Sequence, residues 1–324
     1  METIQQQIGA MQEEIKRLRE ELEVVKKGNF DTITCKTWNV VDEDGEKRIT
    51  AFTNPDGQAS LAWLDKDGIQ RIAAATLPDG TATVQWLDKN KKVRITASTL
   101  DDGQASVNWF DKNGKRRIAA ATLADGQAGV GLFDKDGKVR ITASTLDDGQ
   151  ANVRWLDKDG KVRINAATLA DGQAGVQWHD KDEKVRIHAT TLADGDASVQ
   201  WSDKDGKMRI DASTDADGDA GVQWLDKNEK LRISAFTNPD GSAGIHWYDK
   251  DETARIDASS YANGNAGVLW LDKNEKVRII TETTEEGYAS VKWFDKDGKV
   301  RIGTGTSGGE TIMLPAEDLN PPKP

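Results

Sequence analysis

The sequence predicts an all-β repeat protein behind an N-terminal α coiled coil. Three observations predict it: a heptad apolar period over the first 28 residues, a strict 23-residue period after it, and two Asp/Gly turn motifs in every 23-residue unit. Twelve units account for 276 of the 324 residues. A period that short overrides the two-domain expectation raised by length alone. The boundaries read as 1–28 for the coiled coil, 29–306 for the repeats and 307–324 for a Gly/Pro-rich tail.

In the first segment Met1, Ile4, Ile8, Met11, Ile15, Leu18, Leu22 and Val25 alternate at spacings of three and four, the a/d seam of almost four heptads. With Met1, Ile8, Ile15 and Leu22 at a, Glu14 and Glu21 fall at g, and Arg19 and Lys26 at e. A parallel, in-register pairing then sets Glu14 against Arg19 and Glu21 against Lys26 in the neighbouring chain. Lys26 and Lys27 suit the negative end of the helix dipole, and Gly28 supplies the stop. Ile15 with Leu18 favours two strands, whereas Leu22 with Val25 reverses the branching and favours more. The alternative is an amphipathic helix folded against its own domain.

The repeat register is marked by an Arg-Ile pair that runs from Arg48 to Arg301 in steps of 23 with no insertion. Surface loops ordinarily tolerate insertions, so both connections in each unit are expected to be geometrically constrained. The expected repeat core is Trp63, Trp86, Trp109, Trp155, Trp178, Trp201, Trp224, Trp247, Trp270 and Trp293, together with the isoleucine column that includes Ile95, Ile141, Ile164 and Ile187. Leu132 replaces tryptophan once, and Trp38 stands two residues ahead of the first unit's slot, which Val40 holds.

Within one unit Ala151, Val153 and Trp155 alternate with polar residues, and so do Ile164, Ala166 and Thr168. Each run reads as a strand. Asp157-Lys-Asp-Gly160 and Leu169-Ala-Asp-Gly172 between them read as tight turns, since Asp bonds its own backbone and Gly accepts a positive φ. Roughly 24 strands follow from twelve such units. Two arrangements fit: an antiparallel meander, with equivalent residues ~9.6 Å apart, or a parallel β-solenoid, with them ~4.8 Å apart. The solenoid would stack Arg140 on Arg163 on Arg186 at the closer spacing, and like charges directly opposite are destabilising. Hairpin turn chemistry also favours the meander.

A column of leucine and aromatic residues follows the tryptophans: Leu64, Leu87, Phe110, Phe133, Leu156, Leu225, Tyr248, Leu271 and Phe294, lapsing to His179 and Ser202. Its face depends on the Asp-Lys-Asp-Gly turn. A two-residue turn pairs Trp155 with Ile164, and a glycine bulge pairs Trp155 with Arg163, which would allow cation–π stacking. Glu183, Glu229, Glu252 and Glu275 in the glycine slot fit neither well.

A meander with a continuous Trp/Val/Ile face cannot leave that face in water. A closed barrel of 24 strands would have a lumen too wide to fill. The expected solution is three identical sheets facing one axis, an elongated triangular prism built as a parallel homotrimer and started in register by the coiled coil. Such a shaft would extend ~115 Å at ~4.8 Å per strand.

Composition excludes several function classes. Acidic residues outnumber basic ones by 55 to 44, against the basic footprint of a nucleic-acid binder. One cysteine, Cys35, excludes a disulfide scaffold and a cysteine-cluster metal site. No apolar run approaches the ~18 residues of a membrane span, and the opening METIQQQIGAMQEE lacks a signal peptide's apolar core. Asp-Lys-Asp-Gly resembles the start of a calcium loop but lacks the third ligand before its glycine and the bidentate Glu near the twelfth position. The denser Asp211, Asp215, Asp217 and Asp219 stretch also has incomplete ligand spacing and reads as a solvated turn. His179, His188 and His246 are scattered through positions that carry other residues elsewhere, and identical units make no unique cleft, so neither catalysis nor a cofactor or metal is expected.

The layout resembles the fibrous shafts of phage tail fibres and trimeric adhesins, which follow a short parallel coiled coil with short β-repeats punctuated by Gly and Asp. The tandem motif, as in Leu156-Asp-Lys-Asp-Gly-Lys-Val-Arg163, is also similar to those of poorly characterised prokaryotic repeat proteins. The resemblance covers residues 1 to about 306 and implies a self-associating structural fibre or spike, in a virion or on a cell surface, with virion or filament subunits as further partners. Among these residues a distinct receptor-binding tip, as in a complete tail fibre, is not expected. After Ile302 come Gly-rich residues and Asn320-Pro-Pro-Lys-Pro324, expected to be disordered or an extended strap. The opposing expectation is a glycan- or cell-wall-binding module that stacks sugars on its regularly spaced tryptophans.

Overall fold

Every 23-residue unit forms two strands joined by two tight turns, and all strand pairs are antiparallel, so the meander is the arrangement adopted. The computed structural model describes residues 3–27, 34–146, 148–307 and 310–314. The chain divides into two units, Met1–Asp101 and Asp102–Pro324. The first holds helix α1 (Ile4–Lys27) and six strands, β1 to β6, from Thr37–Val41 to Val93–Thr99. The second holds nineteen strands, β7 to β25, from Ala105–Phe110 to Glu310–Leu314.

Helix α1 begins at a capping box. The Thr3 N–H donates to Gln6 Oε1 at 2.9 Å, which satisfies a donor that the first turn leaves over. All of its described side chains, Ile4 through Val25, are exposed, so none of its own domain covers it. Met1, Gly28 and the side chain of Lys26 lie outside the described residues.

The turn after the tryptophan strand is typified by β11 (Ala151–Leu156) and β12 (Val162–Thr168). Gly160 N–H donates to Asp157 O at 3.1 Å, and Asp157 N–H donates to Lys161 O at 2.9 Å, with Gly160 at φ +83°. This is a type I turn closed by a glycine bulge. The turn after the isoleucine strand repeats that backbone scheme: Gly172 N–H to Leu169 O at 3.1 Å and Leu169 N–H to Gln173 O at 2.8 Å. Glu183, Glu229, Glu252, Glu275 and Lys91 adopt the same left-handed conformation in the glycine slot, at φ between 58° and 64°. The turn is thus kept at the cost of backbone strain. A left-handed non-glycine residue costs about 1–2 kcal/mol, and glycine returns about 0.5–1 of that as lost chain entropy. Glu183→Gly and Glu275→Gly are therefore each expected to stabilise the fold by about 0.5–1 kcal/mol in chemical denaturation.

Trp155 pairs with Ile164, and Leu156 with Val162, so Arg163 is the extra residue of a second bulge. The turn is the glycine-bulge one, yet tryptophan still meets isoleucine, because the second bulge resets the register. Directly paired residues share a face and neighbours along a strand alternate. The Leu/Phe column therefore lies opposite the tryptophans, paired with the 162-type position as in Phe133 with Val139. The cation–π contact in this region belongs to that column, with Arg116 stacked 4.4 Å from the Phe133 ring centroid.

The tail contributes one strand beyond the expected 24. The β25 backbone pairs with β24 (Val300–Ser307) from Gly303 with Leu314 to Ser307 with Glu310, which occupies the open edge of β24. Residues 315–324 lie outside the described part.

Candidate functional site

Register sorts the repeat into three rows on one face. In the second unit a Trp/Ile row runs Ile141, Trp155, Ile164, Trp178, Ile187, Trp201, Ile210 and Trp224, and continues through Trp247 and Trp270 to Trp293. Trp109 opens it beside Ile118, and Leu132 follows. Beside it lies a Val/Ala row, as in Ala143, Val153, Ala166 and Val176. The third row is Thr/Ala, as in Thr145, Ala151, Thr168 and Ala174. In the first unit Trp63, Trp86 and Ile95 share a row with Val40, Ile49 and Ile72, and Trp38 occupies the Val/Ala row opposite Ala51. Within each unit, the repeat-core residues expected from sequence thus fall on one face.

That face is not covered within either unit. Among the described residues no apolar side chain is buried. Trp86, Trp155, Trp178, Trp201, Trp224 and Trp293 are 37–38 % exposed. An aromatic side chain carries roughly 150–250 Å², so each of these indoles shows roughly 55–95 Å² to solvent. The five in the second unit together reach roughly 300–450 Å² before any Ile, Val or Ala is added, the scale at which a soluble monomer's largest patch usually stops.

The opposite face varies from unit to unit. Arg154 Nε lies 3.3 Å from Asn165 Oδ1, Lys292 pairs with Glu282 at 2.7 Å, and His246 stands between Tyr248 Oη (3.2 Å) and Asp257 Oδ1 (3.5 Å) with Phe236 edge-on at 5.0 Å. Lys292, then Ser290, hold the Glu282 carboxyl below its ordinary value. These are cross-strand and diagonal pairs of an ordinary sheet face. His179 bonds its own turn through Glu183 O at 3.2 Å, and His188 pairs across strands with Gln177 and Gln200. The three histidines are not brought together.

The element that sequence reasoning missed is an Asp–Arg clamp at the tryptophan-side turn. Asp157 Oδ1 accepts from Asp159 N–H (2.8 Å) and Lys161 N–H (3.1 Å), and Asp157 Oδ2 pairs with the bulged Arg163. The same guanidinium donates to the Asp180 carbonyl in the next unit's turn. Every one of the twelve marker arginines pairs with the aspartate six residues before it, from Arg48–Asp42 to Arg301–Asp295. The signal was the constant six-residue spacing, which reads as turn plus register marker until the bulge is known.

The clamp has a functional consequence. Without the one-residue bulge, Ile164, Ala166 and Thr168 would move to the face opposite Trp155, and no continuous apolar face would exist. The backbone N–H of Lys299 chiefly, opposed by desolvation and helped by Asp297 N–H and Arg301, pulls Asp295 from 3.8 down to about 2. Asp65, Asp88, Asp180, Asp203, Asp249 and Asp272 are lowered in the same way, by backbone N–H groups first. These aspartates therefore spend their oxygens on their own turns. Asp215 does likewise, accepting from Asp217 and Asp219 N–H at 3.0 and 2.9 Å, and among the described residues no three carboxylate, His or Cys side chains converge as a metal site would require.

Along α1 the seam residues Ile4, Ile8, Met11, Ile15, Leu18, Leu22 and Val25 are 47–76 % exposed. Glu14 and Glu21, expected to face Arg19 and Lys26 of a neighbour, both lie near Arg17 of their own helix, at 2.6 and 3.9 Å. At these exposures such pairs are worth only tenths of a kcal/mol, on the order of 0.2–0.5 each, and they leave the apolar seam open.

No protein-family model matches the sequence, and no curated protein matches it. Among solved structures, the TCP domain of SAS-4 (dCPAP) from Drosophila melanogaster, determined in complex with a proline-rich motif of Ana2 (dSTIL), is similar at 12% identity and a TM-score of 0.31, over 50% of this chain and 88% of that one. A TcdB2-TccC3-TEV structure is similar at 11% identity and a TM-score of 0.17, over 92% of this chain. The chain spans about a fifth (21%) of that structure's length. At these scores the likenesses constrain neither fold nor function, and the regular antiparallel β-meander with one helix is what is established for this protein.

Proposed function

We propose that this protein is a structural subunit that self-associates in parallel into a shaft, as in a phage fibre or a surface filament, and holds other components at a distance. The observation that carries this reading is the uncovered three-row apolar face, kept through both units. Identical copies supply the matching cover, since every copy offers an equally long apolar face with the same strand spacing. The exposed a/d seam of α1 supports the parallel sense, because a parallel coiled coil delivers the sheets in register.

Light scattering, negative-stain imaging and acrylamide quenching of the full chain test the proposal. The expected result is one stable oligomer with blue-shifted, quencher-protected tryptophan emission. A monomer with accessible indoles would overturn it, and quenching of that monomer by soluble glycans would point to sugar stacking instead.

A further inference from the structure

The apolar face is wedge-shaped. Along β14 (Val185–Thr191) the face carries Ile187, then Ala189, then Thr191, and along β15 (Ala197–Ser202) it carries Trp201, Val199 and Ala197. The hairpins of the second unit from β7 to β24 repeat this slope, so bulky side chains stand at the Asp-Lys-Asp-Gly edge and small ones at the other.

Two such wedges can meet in two ways. With like edges together, the Trp/Ile rows collide and hold the Ala/Thr rows apart, which leaves a void where packed sheets sit ~10 Å apart and interiors tolerate few gaps. Rotation about an axis along the strand-stacking direction instead sets the Trp/Ile row of one copy on the Ala/Thr row of the next. That operation keeps the chains running the same way, which is also the sense proposed for the α1 seam. Two separate elements thus point to one symmetry operator. The contact is large enough to be permanent. A strand of six residues is ~20 Å long and eighteen strands span ~86 Å, giving on the order of 1,700 Å² per copy. A pair then buries on the order of 3,400 Å², inside the obligate range.

Resting on the self-association reading above, we propose that each copy seats its Trp/Ile row on the Ala/Thr row of a neighbouring copy, strand for strand, with the Val/Ala rows meeting in the middle, and that Trp/Ile rows never face each other.

Cross-linking of full-length chains tests this. In a Cys35→Ser background, Ile187→Cys chains and Thr191→Cys chains carrying different tags are refolded together and treated with a short bis-maleimide. The Ile187–Thr191 product is expected to exceed both same-position products at least tenfold, and chains carrying both substitutions are expected to close into a covalent oligomer of the scattering mass. Dominant same-position products, or no product in an oligomer of unchanged mass, would overturn the seating while leaving self-association intact. A monomeric wild-type chain would overturn both. Ile210→Cys with Thr214→Cys, the equivalent positions one unit on, replaces the first pair if those variants do not assemble.

Discussion

Val176→Asp is expected to open the assembly along the apolar face, and Gln177→Asp, one residue away, is expected to leave it closed. Val176 sits in the middle row between Ala166 and Ala189, whereas Gln177 lies on the opposite face between Asn165 and His188. If another copy covers the first face, the new carboxylate is buried without a partner at a cost of several kcal/mol. If water covers it, the carboxylate stays solvated and the two variants cost about the same, within ~1 kcal/mol of each other. Acrylamide quenching of Trp178 and its neighbours separates these cases: it should rise sharply for Val176→Asp alone, with loss of scattering mass once α1 can no longer hold the chains together. Equal behaviour of the pair would count against a covered face.

Acid is expected to dismantle the repeats between about pH 4 and pH 2. The clamp aspartates have folded-state pKa values below their unfolded one, with Asp295 at about 2. A group shifted that way contributes stability at pH above its unfolded value of ~3.9, and that contribution is lost as pH falls through the folded value. Because each unit carries its own clamp, the losses accumulate over neighbouring units of a repeat array. Circular dichroism and tryptophan emission should show a loss of sheet with a midpoint inside that window. Stability that stays flat from pH 5 to pH 2 would show that the carboxylates do not hold the turns. Asp180→Asn separates charge from turn chemistry, since the amide still offers one acceptor to Asp182 and Lys184 N–H but cannot pair with Arg186 as an ion.

Much of this was legible in the residues themselves. The period, the helix, the two turns and the identity of the apolar rows follow from spacing and turn chemistry, which are local. The pairing of Trp155 with Ile164 was open because it depends on two bulges, one at Gly160 and one at Arg163, and the second leaves no composition signature. Glu183 in a glycine slot looked incompatible with the turn. It adopts the left-handed conformation there, because the surrounding ladder holds the turn against a strain of about 1–2 kcal/mol. The final strand, Glu310–Leu314, was hidden because an isolated apolar run becomes a strand only when a neighbouring edge lies open to pair with it.

By itself, then, the sequence determined the repeat length, the hairpin chemistry and which side chains form the apolar columns, since each is set within a few residues along the chain. Only the tertiary structure decided that those columns share one face and that this face lies uncovered. Face assignment turns on a single extra residue per unit, and exposure turns on what packs above it. Both are properties of neighbours in space rather than neighbours in sequence.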